Sequence, residues 1–219
     1  LAAASSAAPT VGSVLPRAIY VHLPFCRRRC FYCDFPIVAV GDRPGAADAA
    51  AERYCALLDR ELAHSPDARP LASVYFGGGT PSLTPPRLLH KLLRQLDEKH
   101  GLAQGCEVTL EMDPGTFDRA ALDAFVAAGV TRVSLGVQSF DDALLEACGR
   151  VHRVRDAHGA LELLLGHEQP LSVSLDLIGG LPHQTLETWQ RSLDAAARSG
   201  AHHVSVYDLQ IEPRTAFGR

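Results

Sequence analysis

From Arg17 onward, short β-branched runs alternate with longer stretches of helical period, and the alternation repeats six times. AIYVHL (18–23) reads as a first strand, and 46–64 follows as a helix with Leu57, Leu58, Glu61 and Leu62 in periodic positions. SVYF (73–76) is a second strand, closed by Gly77, Gly78 and Gly79; Leu88, Leu89, Leu92, Leu93 and Leu96 then form a helical stripe that must face a core. EVTLEM (107–112) is the third strand, and Thr116 is placed to cap a helix burying Leu122, Phe125 and Val126. TRVSLGV (131–137) is the fourth, followed by helices near 141–148 and 155–166. SVSLDLI (172–178), a helix over 185–199 and HHVSVYDL (202–209) complete the series. Connections of this length exclude hairpins and dictate parallel strands wrapped by helices.

A closed eight-stranded barrel needs two more units and about 250 residues, whereas the chain has 219. The expected fold is therefore α/β, an open (βα)6, three-quarter TIM-type barrel over 17–219: either the barrel is open, or the chain is a fragment, or both. Polar residues or glycine stand at the carboxyl end of nearly every strand: His22, Gly77–Gly79, Glu111 with Asp113, Gln138, Asp176, and Asp208 with Gln210. Loops at that edge of a parallel sheet converge on one mouth, so a site is expected there. At 47% hydrophobic the chain is too apolar for disorder, and no apolar run reaches the ~20 residues of a membrane-spanning helix. A net charge of −4 leaves no basic excess for a nucleic-acid partner. That total hides an asymmetry, since residues 1–33 contain Arg17, Arg27, Arg28 and Arg29 and no acid. The Ala/Ser-rich opening, 1–16, reads as a disordered segment resembling the tail of an organellar transit peptide. It points to a plastid or mitochondrion, with a cytoplasmic linker as the alternative.

Three of the six cysteines fall in PFCRRRCFYC, as Cys26, Cys30 and Cys33. Three soft thiolates on one loop clasp an iron–sulfur cluster or a zinc ion and leave a fourth position open. A structural zinc site requires four protein ligands, so His22 or Asp34 would have to complete it, and no second CxxC exists. A disulfide framework ranks last, because a chain of this size does not need staples. Cys55, Cys106 and Cys148 are scattered and read as small buried hydrophobes.

CRRRCFYC matches CxxxCxxC, and further blocks follow in order: YVHLPFCRRRCFYCDF, FGGGTPS, LEMDPGT, SLGVQSF, GRVH and LDLIGGLPHQT. Together, over Arg17 to Arg219, they resemble the oxygen-independent coproporphyrinogen III oxidase family of the radical S-adenosylmethionine (SAM) superfamily, and within it the HemW-type branch of haem chaperones. The resemblance implies a [4Fe–4S] cluster on Cys26, Cys30 and Cys33, with SAM chelating the open iron. One electron then cleaves the sulfonium to methionine and a 5′-deoxyadenosyl radical. It further implies SAM contacts at Tyr20, Tyr32, Gly78, Gly79, Thr80, Glu111, Gln138, Arg150, Asp176 and Gln210. The implied partners are haem or porphyrin, a haem-accepting protein, and an electron donor of the flavodoxin or ferredoxin type.

Two departures bear on the activity. The decarboxylases of that family carry a fourth cysteine, as CxxxCxxCxC, where this chain has Asp34-Phe35. This favours the chaperone branch over oxidative decarboxylation of coproporphyrinogen III, and it leaves no catalytic residue assigned. The branch's haem-associated HNxxYW motif belongs to a C-terminal domain that the resemblance implies beyond the sixth strand and that 17–219 does not include; no His-Asn pair occurs, so no residue here is assigned to haem. A core that binds cluster and SAM without turnover is the further alternative. Read without the resemblance, Gly77–Gly79 is a tight turn, Glu111 with Asp113 is an acid/base pair or an Asp-Pro turn, and Arg27–Arg29 is a solvated face or a receiver of propionates. On the same reading, His22 stands at most beside the site, and His152 and His158 are structural.

Overall fold

The computed structural model describes residues 15–66 and 69–219; most of the Ala/Ser-rich opening lies outside them. Six strands form one all-parallel sheet in chain order. They are β1 (Ala18–Leu23), β2 (Leu71–Gly78), β3 (Leu102–Met112), β4 (Arg132–Gln138), β5 (Ser172–Gly179) and β6 (His203–Asp208). Helices α1 (Asp48–His64), α2 (Pro86–His100) and α3 (Arg119–Ala127) cross from one strand to the next. Between β4 and β5 lie α4 (Asp142–Ala147) and α5 (Val154–Leu165), and α6 (Leu186–Arg198) precedes β6. β1 and β6 do not pair with each other, yet residues following β1 and Tyr207 of β6 line one cavity. The sheet is thus an open, strongly curved barrel of six βα units, as the alternation predicts.

The central strands alternate apolar and polar or small residues over most of their length, which a parallel sheet covered on both faces does not require. Val74 and Phe76, Val108 and Leu110, Val133 and Leu135, and Val173 and Leu175 are all 3% exposed or less and join one core with the helices. The intervening residues, such as Tyr75, Glu111, Ser134 and Asp176, point to the concave side and bond to one another there. The leucine stripe of α2 is buried as expected. On α1, however, Ala51 and Cys55 are buried and Leu58 and Leu62 pack beside them, while Leu57 is exposed. At 100° per residue the stripe runs through 51, 55, 58 and 62 and passes Leu57 by.

Local chemistry corrects two further expectations. The cap of α3 is Asp118, whose carboxylate accepts from the Ala121 N–H; Thr116 instead donates to the Asp113 carbonyl at 2.6 Å. Gly77 and Gly78 also belong to β2 rather than closing it. Two short segments, Phe25–Cys26 and Val38–Ala39, pair in parallel and tie together the ends of the cysteine loop. No periodicity announces a two-residue ribbon.

Candidate functional site

A cavity of about 340 Å³ opens at the carboxyl ends of the strands, within the size range of small-molecule sites. Cys26, Cys30 and Cys33 all line it. Their loop is held by main-chain bonds from Val40 to Cys26 (2.8 Å) and from Gly41 to Arg27 (3.0 Å). Arg29 pins it from within, donating to the carbonyls of Cys33, Phe35 and Ile37 at 3.1, 2.8 and 3.3 Å. Arg27 donates to Gly115 O at 3.0 Å, and Arg28 pairs with Asp42. The arginine run is therefore the loop's internal brace as much as a solvated face. Burial raises the Cys26 thiol to about 11 and raises Cys33 as well, so binding a metal group there displaces protons.

Beneath the loop lies a charged pair. Arg150, 8% exposed, donates through Nη2 to Asp113 Oδ1 at 2.5 Å and to Gly136 O at 2.8 Å. Its Nη1 lies 3.5 Å from Cys30 Sγ. Burial opposes the Arg150 charge, but Asp113, with Tyr32 and Cys30 beside it, more than restores it. The Thr80 hydroxyl reaches both Cys26 Sγ at 3.5 Å and Asp113 Oδ2 at 3.3 Å. His152 sits behind Arg150 with Nε2 3.1 Å from Val137 O, so Nε2 carries the proton and Nδ1 faces Arg150 as acceptor. Burial first, and then Arg150, lower its pKa to about 4. Asp113 is an ion-pair partner rather than half of an acid/base couple with Glu111.

The glycine run is shaped by close approach. A Cβ on Gly78, whose φ is +118°, would stand 2.6 Å from the His22 ring, and one on Gly79 would stand 2.7 Å from the Pro24 backbone. The N–H groups of Gly78, Gly79 and Thr80 donate to Glu111, Leu23 O and Phe25 O respectively. Those amides are satisfied inside the protein, so they are not the groups the turn offers a ligand. Glu111 also accepts from Tyr75; burial raises its pKa despite these donors. Burial likewise raises Asp176, which accepts from Ser134. Gln138 lines the cavity from a left-handed backbone with φ +65°. That conformation costs a non-glycine residue about 1 kcal/mol or more and is concentrated at functional sites.

Of the residues singled out in the sequence, the three cysteines, Tyr32, Gly78, Gly79, Thr80, Glu111, Gln138, Arg150 and Asp176 meet in this one cavity. Tyr20 and Gln210 do not line it. Tyr20 stacks on Tyr75, with its hydroxyl 3.2 Å from His22 Nδ1, and Gln210 is exposed beyond β6. Asp113, read from sequence as half of an acid/base pair or as an Asp-Pro turn, and His152, read as structural, also line the cavity. Their partnership with Arg150 spans 37 and two residues, and no local spacing reveals the longer link. Cys55 and Cys148 are buried as expected, but Cys106 is half-exposed.

The donor set discriminates between metal groups. Among the described residues, no three His, Cys, Asp or Glu side chains converge as they would on one metal ion, and a zinc ion needs its ligands at about 2.0–2.3 Å from a common centre. All six cysteines are free. Three free thiols lining one cavity fit the donor set of an iron–sulfur cluster.

The sequence model of the Radical SAM superfamily matches residues 20–196. Heme chaperone HemW of Synechocystis is 46% identical over 94% of this chain and 50% of its own length. Radical S-adenosyl methionine domain-containing protein 1, mitochondrial, of Bos taurus is 40% identical over 90% of this chain and 44% of its own. Among solved structures, coproporphyrinogen III oxidase (HemN) from Escherichia coli, a radical SAM enzyme, superposes with a TM-score of 0.82 at 28% identity. It covers 94% of this chain and 47% of that one. The chain spans about half the length of the relatives it matches.

Proposed function

Because the chain belongs to the radical SAM superfamily, we propose that it is the cluster- and SAM-binding part of a HemW-type haem chaperone. Cys26, Cys30 and Cys33 would hold a [4Fe–4S] cluster, with SAM in the cavity they line. When bound, the cluster supplies the electron for reductive cleavage of the sulfonium. The chain's own groups bind, orient and exclude water: Tyr32, Thr80, Glu111, Gln138, Arg150 and Asp176 line the cavity.

One observation carries the choice between chaperone and decarboxylase. Phe35, 57% exposed at the cavity rim, stands where the decarboxylases have a fourth cysteine. Similarity to the Synechocystis chaperone supports the same choice. Phe35 and Tyr207 with Arg27 and Arg28 make the mouth apolar, aromatic and cationic, which suits a flat ligand bearing carboxylates. The test incubates the complete protein, reconstituted and reduced, with SAM and either haem or coproporphyrinogen III. Stable haem uptake without decarboxylation is expected, and formation of protoporphyrinogen would overturn the assignment.

An organellar location belongs to the same reading. It is supported by the acid-free opening of the chain and by the bovine relative, whose name places it in mitochondria. A reporter carried by the protein's N-terminal region is expected to enter an organelle; a protein confined to the cytosol would contradict this location.

A further inference from the structure

We propose that Asp113 is a positioning residue that sets the reduction potential of the cluster by governing the hydrogen-bond donors of two of its three thiolates. The proposal rests on the cluster reading above. One carboxylate serves both donors: Oδ1 accepts from Arg150, whose other terminal nitrogen points at Cys30 Sγ, and Oδ2 lies beside the Thr80 hydroxyl, which points at Cys26 Sγ.

The chain spends structure on this arrangement. A Cβ on Gly136 would stand 2.7 Å from Asp113 Oδ1 and 3.5 Å from Arg150 Nη2, so glycine at 136 is what leaves room for the pair. Arg150 is buried, and its Nε finds no partner among the described residues. A guanidinium accepts that loss where its charge and geometry are needed. Asp113 is itself fixed at the main chain, its carbonyl accepting from Thr116 and its N–H facing Ser82 Oγ.

The direction of each effect follows from charge. One-electron reduction adds a negative charge to the cluster and its thiolates. A cation or donor aimed at a thiolate favours the reduced form, and a carboxylate beside that donor disfavours it. The Thr80 hydroxyl has one proton, so Asp113 also competes with Cys26 for it. Asp113 therefore holds the potential down while keeping Arg150 in place. Its removal and the removal of Arg150 should shift the potential in opposite directions, which a merely structural role for either residue does not produce.

The test is an EPR-monitored potentiometric titration with dithionite on the anaerobically reconstituted chain. It compares Asp113→Asn, Arg150→Gln and Thr80→Val, with iron and sulfide counted in each. At a fixed potential, Asp113→Asn is expected to raise the ratio of reduced to oxidised cluster at least tenfold, a 59 mV shift for one electron. Arg150→Gln should lower it by a similar factor, and Thr80→Val should lower it less. If Arg150→Gln fails to hold a cluster, the opposed signs of Asp113→Asn and Thr80→Val support the proposal in its place. Unchanged potentials, or shifts in one common direction, in variants that load normally overturn it and leave the cluster reading intact. Wild-type protein that assembles no cluster overturns the cluster reading, and the proposal with it.

Discussion

The two faces of the sheet obey different rules. On the helix side, Phe76, Leu110, Leu135 and Leu175 are fully buried and have only apolar neighbours to satisfy. On the concave side, the residues one position away bond in pairs, Tyr75 with Glu111 and Ser134 with Asp176, and burial raises the pKa of Tyr75, Glu111 and Asp176. Alternate residues on the same strands thus serve stability or chemistry according to a period of two. Tyr75, Glu111, Ser134 and Asp176 are tolerated there because each is held by a partner from a neighbouring strand.

The sharpest contrast comes from truncating one residue on each face. Phe76→Ala on the helix side should cost about 3–5 kcal/mol by chemical denaturation while leaving the cysteine loop able to take up iron. A concave-side change such as Asp176→Asn should reverse that order, weakening SAM binding by equilibrium dialysis with little loss of stability. Equal effects of the two changes on stability would erase the distinction.

The concave side should also carry the acid sensitivity. His152 is held neutral with a pKa near 4, below the ordinary value of about 6.5. The unfolded chain therefore binds this proton first, and stability is lost as pH falls from about 6.5 toward 4, by up to about 3 kcal/mol from this group. Denaturation midpoints measured across that window should flatten in His152→Gln.

Smaller effects probe the fit of the concave face. Gly136→Ala should destabilise by about 1–3 kcal/mol through overpacking and should reduce iron uptake, because the new Cβ meets Asp113. Gln138→Gly should do the opposite for stability, gaining about 1 kcal/mol by relieving the left-handed backbone, while SAM binding weakens.

The helix side was largely legible in the sequence, since burial imposes a period that reads directly from residues such as Leu88, Leu92 and Leu96. Its errors were of one residue or two, at Leu57 on α1 and at the cap of α3, where Asp118 and Thr116 offer equivalent chemistry. The cysteine loop was legible because its spacing is local. The network beneath it was not. Asp113, Arg150 and Thr80 come from three separate βα loops, and only the curvature of the sheet brings them together. Asp113 could equally have been a turn residue, and His152 a core histidine. The glycine run was legible as a tight turn, but the reason for it was not: a Cβ on Gly78 or Gly79 would meet the His22 ring or the Pro24 backbone, contacts that no local pattern announces.

The central claim, that the three-thiol loop holds a [4Fe–4S] cluster, is tested most directly by counting metal and sulfide. Anaerobic reconstitution should give about four irons and four labile sulfides per chain, with an EPR spectrum of the reduced protein that changes when SAM is added. Cys30→Ala should lose that cluster and keep its fold. Stoichiometric zinc without labile sulfide, or an iron content that Cys30→Ala leaves unchanged, would contradict the account.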